Sequence, residues 1–277
     1  MIDICTVVFR EELPLLKLQA QSLALYAQDI GIKNIYIIVN DDSSVGELID
    51  FSWYGNLDER VVVIPRQAFG ADYVENGWVS QQALKMMAAA MSYNTWTMIL
   101  DAKTILTRPL DLSELFDGDR MQAGTLPIYP VFEPSQQIVN DLFGIKLTEQ
   151  IGPGGVPFFV NNSVVRGMIA DVESRTGQSF PAWFQAQGMV TEFMLYSGYV
   201  QSKKSLRNKL YSKKCKFNVI NVCHSEVDQF ENKLDLFNPQ TLSVSIHRKA
   251  WTQLSDLRRE KYRNLLIDCK IIQAQLL

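Results

Sequence analysis

The stretch "WTMILDAKTILTRP" (96–109) sets a carboxylate at Asp101 and an ammonium at Lys103 just where an apolar run ends. On extended backbone, positions i and i+2 point to one side, so the pair is expected to face one place. Two chemistries fit. A local ion pair at an exposed surface contributes about 0–1 kcal/mol and no function. A site for a phosphate-bearing ligand would turn the cation toward its negative charge. Further candidates can join such a site. Trp78, Gln82 and Lys85 are spaced 4 and 3 apart, which puts them on one helix face, and Gln81 lies one turn before Lys85. Glu192 stands among largely apolar neighbours in "VTEFMLYSGY", where a carboxylate needs an assigned partner. It reads either as a general base or acceptor-hydroxyl ligand, or as a structural carboxylate bonded to backbone or Tyr. His247 and Arg248 follow the apolar run "TLSVSI". They suit a diphosphate, or a metal through His247, or a plain surface pair.

The elements that must position these residues alternate between short apolar runs and amphipathic stretches. "ICTVVF" (4–9), "NIYIIVNDD" (34–42), "RVVVIP" (60–65) and "TWTMIL" (95–100) read as strands. Between the first two, Leu16, Ala20, Leu23, Ala27 and Ile30 recur at helical steps, with Gly31 placed to end the helix. Residues 78 to about 92 give a second helix through Val79, Ala83, Met86 and Ala90. Strands that are apolar throughout imply burial on both faces, and their alternation with helices implies an α/β fold with a mainly parallel central sheet. Ligands of such sheets sit beyond the carboxyl ends of the strands. Arg10, Asn40, Asp41, Asp42 and Asp101 all lie at or just past those ends. The second half is less regular. "MQAGTLPIYP", "GVPFFV", "KFNVINV" and "TLSVSI" read as further, mixed strands, "IGPGGVP" (151–157) as loop, and 252–277 as a long C-terminal helix through Leu254, Leu257, Leu265, Cys269, Ile272 and Leu276. A single domain is expected over 1–277, with halves 1–110 and 111–251 before that helix.

Composition narrows the field. Hydrophobic residues make up 47% of the 277 residues, enough for a sizeable core, and the net charge of −3 does not suit a chain that coats a polyanion. The charge is uneven. Residues 1–60 hold ten acids against four bases, and 203–216 hold seven bases and no acid. That basic stretch reads as a solvated loop, or as a contact for donor phosphates, an anionic acceptor or a membrane surface. With only Tyr211 inside it, nucleic acid is not expected as a partner. Cys5, Cys215, Cys223 and Cys269 form no CxxC pair, so they read as free thiols. Cys215, Cys223 and His224 match no common zinc spacing, and His224 reads as structural. No basic region followed by an apolar run opens the chain, so a cytoplasmic location is expected. GxGxxG, GxxxxGK[ST] and GxSxG are all absent, which disfavours dinucleotide, P-loop and esterase chemistry.

Three segments carry a resemblance. A buried strand ending in an Asp-x-Asp-like motif followed by "RP" resembles GT-A-fold glycosyltransferases, as does the whole stretch 77–110. "TEFMLYSGYV" (191–200) is similar to the start of their acceptor-side helix, and "SIHRKAW" (245–251) to a histidine-bearing strand end. The resemblance implies a GT-A-like fold whose first half, 1–110, binds a nucleotide-sugar, and transfer of that sugar to a hydroxyl on a glycan, lipid or protein. By the same resemblance Asp101 meets the donor's ribose or a metal and Lys103 its phosphates. Arg10, Asp41, Gln81, Gln82 and Lys85 line the donor side, Glu192 serves the acceptor, and His247 and Arg248 steady the diphosphate.

One position departs from the pattern. Lys103 stands where the usual motif has a second aspartate that helps hold a divalent cation, manganese or magnesium. A metal stabilises a leaving oxygen by several kcal/mol, whereas an ammonium brings half the charge without fixed geometry. Either Lys103 replaces part of that charge, which is the favoured expectation, or Asp101 and His247 hold the metal. Two other classes stay open: a silent relative that binds nucleotide-sugar or glycan without transfer, and a sugar-phosphate nucleotidyltransferase. "FREELPLL" lacks the glycine-rich basic loop of the latter.

Overall fold

The computed structural model describes residues 1–28, 30–70, 77–153 and 155–273. Strand β1 (Ile2–Val8) is buried at all seven positions and occupies the centre of a five-stranded sheet. Helix α1 (Leu13–Tyr26) follows it and leads into β2 (Ile32–Val39). Next come β3 (Val61–Pro65), helix α2 (Gly77–Met91) and β4 (Trp96–Asp101), and then β5 (Thr104–Leu106). β4, β1, β2 and β3 lie side by side and parallel, and an antiparallel strand, Phe158–Asn161, closes the β4 edge. The expected parallel α/β sheet is therefore present, with helices flanking it. Register places Asp101 beside Val7 and Val39 beside Val8, so three strand tips finish together.

At the other end of β1, the fully buried Asp3 ties neighbouring elements together. Its carboxylate accepts from the Asn34 backbone at 3.0 Å, the Asn34 amide at 3.1 Å, the Asn94 amide at 2.9 Å and the Ser92 hydroxyl. A buried carboxylate is tolerated because its lone pairs are this fully occupied.

A smaller sheet lies beyond β4. Thr241–Ile246 forms its middle, parallel to Asn218–Val222 and antiparallel to β5, which a turn at Ala102–Lys103 joins to β4. This sheet carries a second apolar cluster that includes Ile220, Val244, Phe230, Tyr262 and Leu266. The C-terminal helix runs only from Asp256 to Asp268, shorter than the periodicity suggested. Ser255 caps it by accepting from the Arg258 amide, which fixes its start after Leu254. Leu257 is exposed, and Leu276 lies outside the described residues. α1 also stops early, at Tyr26. Gly31, with φ of 68°, serves the turn into β2 rather than the helix end.

The basic stretch is loop only in part, at 203–205 and 213–216. It contains a helix, Leu206–Leu210, and a strand, Tyr211–Ser212, paired to Met121 and Gln122. Tyr211 packs edge-on against Trp96 with ring centroids 5.4 Å apart. That contact fixes the segment at the start of β4, and six residues of strand, about 17 Å, separate it from the Asp101 end. Placement at that end corrects the reading in which it closes over donor phosphates. Among the described residues, no helix is long and apolar enough to cross a membrane.

Candidate functional site

The site grows from the tip of β4. Asp101 ends the strand, and its two oxygens meet two ammonium groups, Lys85 Nζ at 2.6 Å and Lys103 Nζ at 2.5 Å. Asp101 and Lys103 face one another as expected, although across a turn rather than along extended backbone. Lys85 reaches over from α2, and its Nζ also donates to Glu192 Oε1 at 3.0 Å. Glu192 opens the helix Glu192–Ser202, where Thr191 caps the first turn by accepting from the Met194 amide. A carboxylate in a first helical turn is favoured by the orphan amides there. Four groups thus form one chain, Lys103–Asp101–Lys85–Glu192, which bridges the parallel sheet and the second half of the protein.

Burial grades this chain. The Lys85 and Glu192 side chains are 4% and 5% exposed, whereas those of Asp101 and Lys103 are 23% and 21% exposed. Burial opposes ionisation of Asp101, but the ammonium groups, Lys103 ahead of Lys85, outweigh it and hold the carboxyl well below the usual range. Burial likewise opposes the charge on Lys85, and Asp101 and then Glu192 reverse that, so its ammonium is held charged.

Neutral groups brace the chain. Gln19, buried on α1, accepts from the Thr6 hydroxyl at 2.9 Å and donates to the Asp101 carbonyl at 2.6 Å. Gln82 donates to the Trp78 carbonyl at 3.1 Å and accepts from the Glu192 amide at 3.3 Å. The Phe193 ring lies 5.6 Å from Lys85 Nζ and stacks on Phe158 with centroids 4.0 Å apart. Gln82 and Lys85 are buried through these partners, while Trp78 is 46% exposed and Gln81 half-buried.

Around this centre lie the other expected residues. The Asp41 carboxylate accepts from the Arg10 amide at 3.1 Å, which joins the tips of β1 and β2, and the Arg10 side chain donates to Ser44 at 3.3 Å. Arg248 is paired with Glu11 across the crevice. His247 follows the strand that sets Ser245 opposite Thr104, and so comes close to Lys103. Its Nδ1 accepts from the Lys249 amide at 3.2 Å. Burial first, then the Lys103 charge and His224, push its pKa down to about 4.

Three neighbours had no site role in the sequence reading, which passed over Glu12, took His224 as structural and placed Asn40 only at a strand end. Glu12 is half-buried beside Lys103 and Asp101. Burial pushes its carboxyl up, with Lys103 opposing. His224 lies 5.5 Å from His247 between ring centroids. Asn40, at the β2 tip, donates to the Ser80 hydroxyl at 2.7 Å, and its buried Oδ1 has no partner among the described residues. Glu12 follows Arg10 by two residues and Asn40 precedes Asp41, so their positions at strand ends were the available signal.

The arrangement can be tested as a metal site. Asp101 has an ammonium on each oxygen, and His247 has spent Nδ1 on the helix cap, so only Nε2 remains to it. Among the described residues, no three His, Cys, Asp or Glu side chains gather closely enough to hold a metal ion. A divalent cation would have to displace one of the two ammonium groups from Asp101 to bind here.

The chain belongs to the family of unknown function (DUF6492), whose model matches residues 7–253. No curated protein sequence matches it. Among solved structures it is similar to the galactosyltransferase LgtC in complex with donor and acceptor sugar analogues, with a TM-score of 0.52 and 11% identity over 98% of this chain and 96% of that one. An active-site mutant of LgtC is similar too, with a TM-score of 0.51 and 11% identity over 95% and 94%. At that identity the likeness speaks to the fold, which is the GT-A glycosyltransferase fold expected from the sequence.

Proposed function

We propose that the protein is a glycosyltransferase that moves a sugar from a nucleotide-sugar to an acceptor hydroxyl. The observation that carries this reading is the Lys103–Asp101–Lys85–Glu192 chain at the carboxyl ends of the parallel strands, where such sheets bind ligands. In the reaction, the bond from the sugar's anomeric carbon to the oxygen of the nucleotide's terminal phosphate breaks, and its electron pair leaves on that oxygen. The acceptor oxygen bonds the same carbon and gives its proton to a carboxylate or to the leaving phosphate. Arg10 and Asp41, joined at the tips of β1 and β2, would border the nucleoside. Asp101 would hold Lys103 at the donor's edge, backed by the buried Lys85, with Gln81 and Gln82 on the α2 side. His247 and Arg248 would flank the diphosphate. Glu192 has two candidate roles, as holder of Lys85 or as recipient of the acceptor's proton. Glu192→Gln keeps an oxygen for Lys85 and cannot take a proton.

The test is nucleotide release by the purified chain from UDP-, GDP-, CMP- and dTDP-sugars, with and without a panel of glycan, lipid and peptide acceptors. Turnover of one donor class, lost in Asp101→Ala with the fold intact, is expected. An Asp101→Ala chain of full activity would overturn the reading. Lys103 in place of a carboxylate favours a second reading, donor binding without transfer. Saturable binding of a nucleotide-sugar with no product over the acceptor panel would select it.

A further inference from the structure

We infer that Lys103 itself, rather than a divalent cation, receives the negative charge of the donor's diphosphate. The inference rests on the glycosyltransferase reading and names how that site handles charge. Three observations carry it. First, a divalent cation would need the Asp101 oxygens, and these are bonded to Lys85 at 2.6 Å and Lys103 at 2.5 Å. A cation entering there would meet two like charges in contact. Second, the two lysines differ in what they can release. Lys85 is buried and clamped between Asp101 and Glu192, so turning it outward would strand two carboxylates. Lys103 is 21% exposed, and among the described residues its ammonium is bonded only to Asp101. When it turns toward an arriving anion, Asp101 keeps Lys85. Third, His247 beside Lys103 has only Nε2 left for a ligand, because its Nδ1 accepts from the Lys249 amide at 3.2 Å. The neighbouring Arg248 guanidinium is held in an exposed pair with Glu11, for which an arriving anion can compete.

Lys103 is thus a mobile charge and Lys85 a fixed one. The fixed lysine keeps Asp101 ionised and oriented whether or not the mobile one is engaged. The β-phosphate leaving with an electron pair would gain a charge-assisted hydrogen bond from the ammonium, and no metal needs to be loaded first.

Calorimetric titration of the full chain with UDP, GDP, CDP and dTDP, each in EDTA and again in manganese, tests this. One nucleoside diphosphate should bind with the same affinity within about twofold in both buffers. Lys103→Ala should weaken it about tenfold to a hundredfold in both, the loss of one charged hydrogen bond, and Lys103→Arg should largely retain it. Lys103→Asp should bind poorly in EDTA and recover in manganese, because it restores a second carboxylate. Circular dichroism of each variant separates loss of fold from loss of binding. Wild-type binding that needs manganese, or a Lys103→Ala chain that binds like wild type, overturns the inference and leaves the glycosyltransferase reading standing. No binding of any of the four in either buffer overturns both.

Discussion

Replacing Lys85 with methionine removes one ammonium that serves two carboxylates, and the structure sets what this should cost. Methionine fills a similar volume, so packing on Phe193 is largely kept. Asp101 retains Lys103, but Glu192, 5% exposed, loses its only charged partner among the described residues. Removing one member of a buried ion pair typically costs about 3–5 kcal/mol, because the survivor stays buried and uncompensated. For a chain of 277 residues, that lowers the melting temperature by roughly 5–8 °C. The deficit should depend on pH with a definite sign. A buried, unpaired Glu192 binds a proton more tightly when folded than unfolded, so Lys85→Met should recover relative to wild type as pH falls from 7 toward about 4. Adding Glu192→Gln removes the stranded charge and should restore more than half the loss. Urea denaturation of the four chains of this double-mutant cycle, at pH 7 and pH 5, gives all the numbers needed. A Lys85→Met cost under about 1 kcal/mol, or a double mutant no better than the sum of the singles, would refute the reasoning.

Three further outcomes follow from single residues. His247 has its folded pKa lowered to about 4 from 6.5, so the unfolded chain binds the extra proton between those values. Stability should therefore fall as pH drops from about 6.5 to 4, and His247→Asn, which keeps a capping oxygen, should flatten that slope in pH-dependent melting curves. Asp3→Ala leaves the donors of Asn34, Asn94 and Ser92 without their acceptor. It should cost about 3 kcal/mol or more in urea denaturation, and a loss below 1 kcal/mol would contradict the bonding described. Gly198→Ala places a Cβ 2.1 Å from Val139 Cγ1, between the helices Glu133–Phe143 and Glu192–Ser202. A loss of about 1–3 kcal/mol is expected, and Val139→Ala in the same chain should return part of it.

What could be read ahead of the structure was whatever period and burial express locally. Strands with no polar face have to be covered on both sides, and that alone dictates a parallel sheet with helices on each face. The tips of such strands are the one place where Arg10, Asp41 and Asp101 have a shared purpose. Local signals failed where a segment's neighbours decide its role. The apolar period from Leu254 onward looks continuous, yet Ser255 captures the Arg258 amide and starts the helix at Asp256, two residues after the first periodic leucine. The seven bases of 203–216 announce charge but not location, and Tyr211 packing on Trp96 puts them at the far end of β4.

The pairing of Lys85 with Glu192 was beyond a local reading for a different reason. The two stand 107 residues apart, and each was read by itself, Lys85 as part of a helix face and Glu192 as a base or a structural carboxylate. Those readings become one when the helices meet. Lys85 can be buried because two carboxylates face it, and Glu192 can be buried because Lys85 does. That mutual dependence also explains why the unusual lysine at 103 is tolerated. With Lys85 already holding one oxygen of Asp101, a second cation on the other oxygen is not needed to keep the carboxylate satisfied. Lys103 and Glu192, the two ends of the chain, can each be removed without stranding a charge, and of the two only Lys103, 21% exposed against 5%, is open to a ligand from solvent.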